Sequence, residues 1–88
     1  MKSALRILIV EDDAAIACVL RDNLVFEGFE VDCVADGREV LAKVNAFLPH
    51  LILLDLTLPG DDGFEVCRVV TRLLDPPAII MLPARGQH

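Results

Sequence analysis

Positive charge is scarce in this chain: 8 Lys and Arg stand against 14 Asp and Glu, a net charge of −6 at neutral pH. General nucleic-acid binders and anionic-membrane binders carry a basic face, so this balance argues against both. No apolar run approaches the length of a membrane span. The opening Met1-Lys2-Ser3-Ala4 leads straight into a short strand-like run, without the apolar core and small-residue cleavage site of a signal peptide. Cysteine is sparse and shows no pairing pattern. Cys18, Cys33 and Cys67 are odd in number, lack CxxC spacing, and each lies in an apolar-periodic segment. They read as buried, reduced thiols and predict a cytoplasmic protein. His50 and His88 have no partner at ligand spacing and read as surface residues. Repeats, linkers and low-complexity stretches are also missing, which leaves one domain at most.

Apolar residues, by contrast, are abundant. They make up 55% of an 88-residue chain, although a domain of this size buries only about 60–65% of its unfolded surface. The excess predicts an apolar surface that expects a partner.

Short apolar runs alternate with amphipathic stretches. Leu5–Val10 is apolar except at Arg6, and reads as a strand covered on both faces. Ile16, Val19, Leu20 and Leu24 then recur at helical spacing, with Asp13 as N-cap and Gly28 as the stop. Phe29–Ala35 alternates like an edge strand with one wetter face. Asp36-Gly37 makes a turn, and Val40, Leu41, Val44, Phe47 and Leu48 mark a second helix stopped by Pro49. Leu51–Leu54 is a second buried strand, and 63–74 a third helix, ended by Asp75-Pro76-Pro77. Ala78–Leu82 has the pattern of an inner strand, yet only six residues follow it. The order βαβαβαβ implies a parallel sheet with right-handed crossovers.

Acidic residues close two of these runs. Glu11-Asp12-Asp13 follows Ile7-Leu8-Ile9-Val10, and Asp55 follows Leu51-Ile52-Leu53-Leu54. If the runs are neighbouring parallel strands, their carboxylates converge on one small volume. Oxygen donors so gathered select a hard cation, and Mg²⁺ is the usual one. Alone, the first triplet would be a solvated turn with a helix cap; with Asp55 at the right spacing it reads as a carboxylate–metal site.

The residues carry a family resemblance along the whole chain. Ile7–Asp13, Leu51–Gly63 and Pro77–Arg85, at their mutual spacing, resemble the receiver domain of bacterial two-component response regulators, particularly the type preceding winged-helix DNA-binding domains. The resemblance implies an α/β flavodoxin-like three-layer fold. Its sheet order would be 2-1-3-4 here, with the fifth strand and last two helices missing, so that residues 1–88 form a receiver domain incomplete at its C-terminus. It implies that Asp55 is the phosphoacceptor. Glu11, Asp12 and Asp55, with the backbone carbonyl of Thr57, would hold Mg²⁺, and a sensor histidine kinase would be the phosphodonor. It implies a signalling phosphoprotein rather than an enzyme. The aspartyl-phosphate hydrolases and ion pumps need a second Asp or a Gly-rich continuation after the nucleophile, which Thr57-Leu58-Pro59 does not supply.

Two features depart from the family pattern. Pro83 stands where a Ser or Thr usually binds the phosphoryl group, and the strand that carries a phosphate-pairing Lys is missing. They define the alternative, a receiver-like protein-interaction module that no longer signals by phosphorylation. An uncovered Ala78–Leu82 strand further predicts a homodimer or higher oligomer, with Ile79, Ile80 and Met81 at the contact.

Overall fold

The protein is described by a computed structural model over residues 4–55 and 62–82. Four five-residue strands, β1 (Arg6–Val10), β2 (Glu30–Val34), β3 (Leu51–Asp55) and β4 (Ala78–Leu82), form one sheet in the order β2-β1-β3-β4. Every neighbouring pair is parallel. Three helices connect them: α1 (Ala14–Phe26), α2 (Val40–Phe47) and α3 (Asp62–Val70). This is the expected flavodoxin-like arrangement, and the edge pattern read for the second strand corresponds to its place in the sheet.

Side chains alternate across a strand, so each register divides the sheet into two faces. On one face Leu8, Val10, Ile52 and Leu54 pack with Val34 against Val40 and Val44 of α2 and Val66 and Val70 of α3. Leu8, Ile52 and Leu54 are completely buried, and each contributes roughly 1.5–3 kcal/mol by leaving water. Ile7 and Ile9 point to the other face and are buried there, as is Ala17 of α1. That helix packs over β1 and β2.

The helix ends follow from individual residues. The Asp13 side chain accepts hydrogen bonds from the Ala15 and Ile16 amides, 2.9 and 3.2 Å, and thereby caps α1. At the other end the Gly28 N–H donates to the Val25 carbonyl and the Phe29 N–H to the Leu24 carbonyl. This paired closure needs a left-handed residue at position 28, and Gly28 has φ of 101°. Asp36 caps a single 3₁₀ turn, Gly37–Glu39, through the Arg38 amide, and also binds the Arg38 guanidinium. The wetter face of β2 is not simply wet. Asp32 accepts an ion pair from Lys43 of α2 at 2.9 Å. Burial alone pushes its carboxyl up, but Lys43 and the Cys33 amide outweigh that and hold it below its ordinary value.

Two expectations need correction, on the third helix and on the cysteines. The third helix ends at Val70, four residues early. The Thr71 hydroxyl donates back to the Cys67 carbonyl at 2.8 Å, and the chain then turns toward Pro76-Pro77. Leu74 consequently falls outside the helix and is fully exposed. As the order 2-1-3-4 implies, β4 has, among the described residues, β3 as its only neighbour despite its inner-strand pattern. Ile80 is 49% and Met81 41% exposed. Finally, Cys18 is exposed and Cys33 and Cys67 are only partly covered, so the thiols are free but not fully buried.

Two measurements probe these local causes. A Cβ at position 28 meets nothing within 4 Å, so Gly28→Ala costs only the left-handed backbone, about 1–2 kcal/mol. Urea unfolding should show a lower midpoint at unchanged slope, and an unchanged midpoint would contradict the closure described. Arg38 holds the Asp36 carboxyl down, from 3.8 to about 2. A depressed carboxylate contributes stability above its unfolded pKa and loses it as pH falls toward the folded one. Wild type should therefore lose stability more steeply than Asp36→Asn between about pH 4 and pH 2, and parallel curves would contradict the pairing.

Candidate functional site

The register between β1 and β3 places the acidic residues. Val10 pairs with Leu54, so the next residue on each strand, Glu11 and Asp55, emerges at the same carboxyl edge. The Glu11 amide extends the β1–β2 ladder by donating to the Val34 carbonyl at 3.0 Å. Asp55 is the last residue of β3 and stays in register with Leu82 of β4. Both side chains are deeply buried, at 3% and 2% exposure, whereas Asp12 is exposed.

Carboxylate oxygens of Glu11, Asp12 and Asp55 all lie within 4.8 Å of one another. The sequence named these three carboxylates, and the fold brings them together. The proposed fourth ligand, Thr57, lies outside the described residues, as do Pro59, Pro83 and Arg85. Asp13 plays a different part: its amide donates to Glu11 Oε2 at 3.0 Å while its side chain caps α1. The cap residue therefore helps to fix the buried carboxylate beside it. The partial positive charge at the start of α1 also favours the acids gathered there. Gly63 lies in the first turn of α3 and is buried.

Three carboxylates with hard oxygen donors, two of them withdrawn from water and one open to it, suit a hard divalent cation. Among the described residues the cluster has no nitrogen or sulfur donor, which disfavours a soft metal. A groove of about 340 Å³ runs from Glu11 and Asp12 between α1 and β2, past Ala17, Arg21 and Cys33. Lys43 takes no part here, since it is engaged with Asp32 on the α2 side.

His50 departs from the plain surface residue expected of it. It is exposed, yet its Nδ1 accepts the Arg6 amide at 2.9 Å, and its own amide donates to the Arg6 carbonyl at 2.8 Å. It pins the start of β1 to β3, opposite the acidic edge. No sequence signal marks this, because the contact joins residues 44 positions apart.

Like charges 4.8 Å apart repel by about 3–4 kcal/mol at an effective dielectric near 20. Asp55→Asn removes one charge and keeps the shape, so the metal-free protein should gain about 1–2 kcal/mol. Urea unfolding in a chelator at neutral pH checks this, and a loss of stability would mean that other bonds of Asp55 outweigh the repulsion.

Comparison with known proteins agrees with the geometry. The Response regulator receiver domain family matches residues 7–88. The phosphate regulon transcriptional regulatory protein PhoB of Rhizobium meliloti (strain 1021) is 45% identical over an alignment 88 positions long that covers 94% of this chain. The chain spans 37% of the length of that relative. A CheY-like response regulator receiver domain protein from Methanospirillum hungatei JF-1 superposes with a TM-score of 0.85 at 36% identity, over 97% of this chain and 68% of the other. The BeF3-activated N-terminal receiver domain of Klebsiella pneumoniae RstA gives 0.81 at 28% identity, over 93% and 69%. On its sheet order, its match over 7–88 and these likenesses, the chain belongs to the response regulator receiver domain family.

Proposed function

We propose that this domain accepts a phosphoryl group on Asp55 from the phosphohistidine of a sensor kinase, with Mg²⁺ held by Glu11, Asp12 and Asp55. The single observation that carries the reading is the convergence of these carboxylates, Asp55 buried at the end of β3 and Asp12 open to the outside. Family membership and the beryllofluoride-activated state named for the Klebsiella pneumoniae relative support it. Thr57 remains the candidate for a carbonyl ligand.

In this mechanism an Asp55 carboxylate oxygen attacks phosphorus in line with the histidine nitrogen. The new P–O bond forms as the P–N bond breaks, and the imidazole leaves with the electron pair and takes up a proton. Burial strips water from Asp55, so the nucleophile is held at one position on a rigid strand. Glu11, fixed by the Asp13 amide, keeps its negative charge directed into the cluster. Asp12 lies at the exposed side, where phosphodonor and solvent arrive. When bound, Mg²⁺ supplies positive charge that offsets the repulsion between Asp55 and an anionic phosphoryl group.

The same reading makes the domain a cytoplasmic signalling module and not an enzyme in its own right. Among the described residues no helix is long and apolar enough to cross a membrane. With a net charge of −6, nucleic-acid binding is not assigned to this segment. Self-association through β4 belongs to the reading as well.

Intact-mass spectrometry after incubation with a small phosphodonor and Mg²⁺ tests the reading. Wild type should gain the mass of one phosphoryl group, the gain should vanish in Asp55→Ala, and chelation should suppress it. A gain that survives in Asp55→Ala would place the acceptor elsewhere, and no gain in folded wild type would refute phosphoacceptance.

A further inference from the structure

We infer that Asp13 is a positioning residue for the cation site: by capping α1 it holds the turn that presents Glu11 and Asp12, and the cap rather than its charge is what the site needs. The inference rests on the metal reading of the cluster proposed above and not on phosphoryl transfer.

Asp13 ties a packed helix to a ligand that it does not itself supply. Its backbone is extended, with φ of −87° and ψ of 110°, where the chain passes from β1 into α1. On the helix side, Oδ1 accepts from the amides of Ala15 and Ile16, and the carbonyl accepts from the Ala17 amide at 2.9 Å. Ala17 is buried and α1 packs over β1 and β2, so this end of the helix has a fixed place on the sheet. The remaining bond runs the other way, from the Asp13 amide to Glu11 Oε2 at 3.0 Å. Asp13 is not among the carboxylates that converge within 4.8 Å. Its side chain is spent on the helix.

The turn between the anchored positions is a single residue, Asp12. On the strand side Glu11 is held by the bond from its amide to the Val34 carbonyl. Asp12 is exposed, and its side chain makes no hydrogen bond or ion pair among the described residues. The backbone on either side therefore sets its direction into the cluster. Losing the Asp13 side chain leaves the Ala15 and Ile16 amides without that acceptor and removes the bonds that favour an extended residue over further helix at this position. The amide of residue 13 then loses its fixed place beside Glu11 Oε2. Carboxylates at a metal site rely on such outer bonds for their orientation, and the apparent affinity falls with the fraction of molecules whose ligands are in place.

Mg²⁺ titrated into the isotope-labelled full chain, followed by the amide shifts of residues 11–13, measures the affinity. Asp13→Asn and Asp13→Ala have the same charge and differ in the cap, so the Asn variant should bind Mg²⁺ about tenfold more tightly than the Ala variant. Gly28→Ala weakens the same helix from its other end and should bind like wild type. Without metal, the amide of residue 13 should be more protected from exchange in the Asn variant than in the Ala variant. Should Asp13→Ala not fold, Asp13→Gly lacks the same side chain at a smaller cost to the helix start and takes its place. Equal affinity or equal protection in the Asn and Ala variants overturns this inference while leaving the metal reading intact. A loss in Gly28→Ala as large as that in Asp13→Ala overturns it too, because helix stability in general would then be the cause. An absence of Mg²⁺ shifts in folded wild type refutes the metal reading and the inference together.

Discussion

Parallel pairing of β1 with β3 is the constraint on which the rest depends. It aligns Val10 with Leu54 and so sends both chains out of the sheet at the same edge, each into an acidic residue. The hydrophobic ladder that favours this register is the same one that forces carboxylates together. Completely buried Leu8, Ile9, Ile52 and Leu54 would have to abandon their faces for the strands to slip by one residue. The core therefore holds a repulsive cluster that no local sequence preference would assemble. Such opposition between stability and local charge is a common mark of a functional site.

The two faces of the sheet are finished differently. Helices α2 and α3 close one face over a contiguous cluster that reaches from Val34 to Val70, with Ile79 packed against it. On the other face α1 lies over β1 and β2, and Ile80 of β4 remains half exposed. The site sits at the carboxyl edge of the two central strands, where ligands gather in open parallel sheets. A groove leads from it beneath α1, past Ala17 and Arg21.

Much of this was legible in the sequence. Apolar runs gave β1 and β3, alternation gave β2, and the acids closing two runs gave the cluster. Asp13 and Gly28 marked both ends of α1 because capping is local, set by residues within one turn. What the sequence hid was not local. The segment after Val70 keeps a helical apolar pattern through Leu73, yet Thr71 back-bonding and the following prolines end α3 at Val70. The ion pair of Asp32 with Lys43 and the bond from the Arg6 amide to His50 join distant segments. Nor could apolar pattern alone tell an inner strand from an edge strand, since both faces of β4 are apolar whether or not a neighbour lies beside it.

If a divalent cation offsets the convergence of carboxylates, as proposed, and Asp55 is one of its ligands, folding stability must depend on that cation through Asp55. The most direct measurement is the unfolding midpoint as Mg²⁺ is titrated into wild type and Asp55→Asn. A ligand that binds only the folded state adds about 1.4 kcal/mol at tenfold its Kd. Wild type should climb continuously with Mg²⁺, while Asp55→Asn should stay nearly level from its higher metal-free start. Equal Mg²⁺ responses in the two proteins, or none in wild type, would mean that Asp55 does not hold the cation.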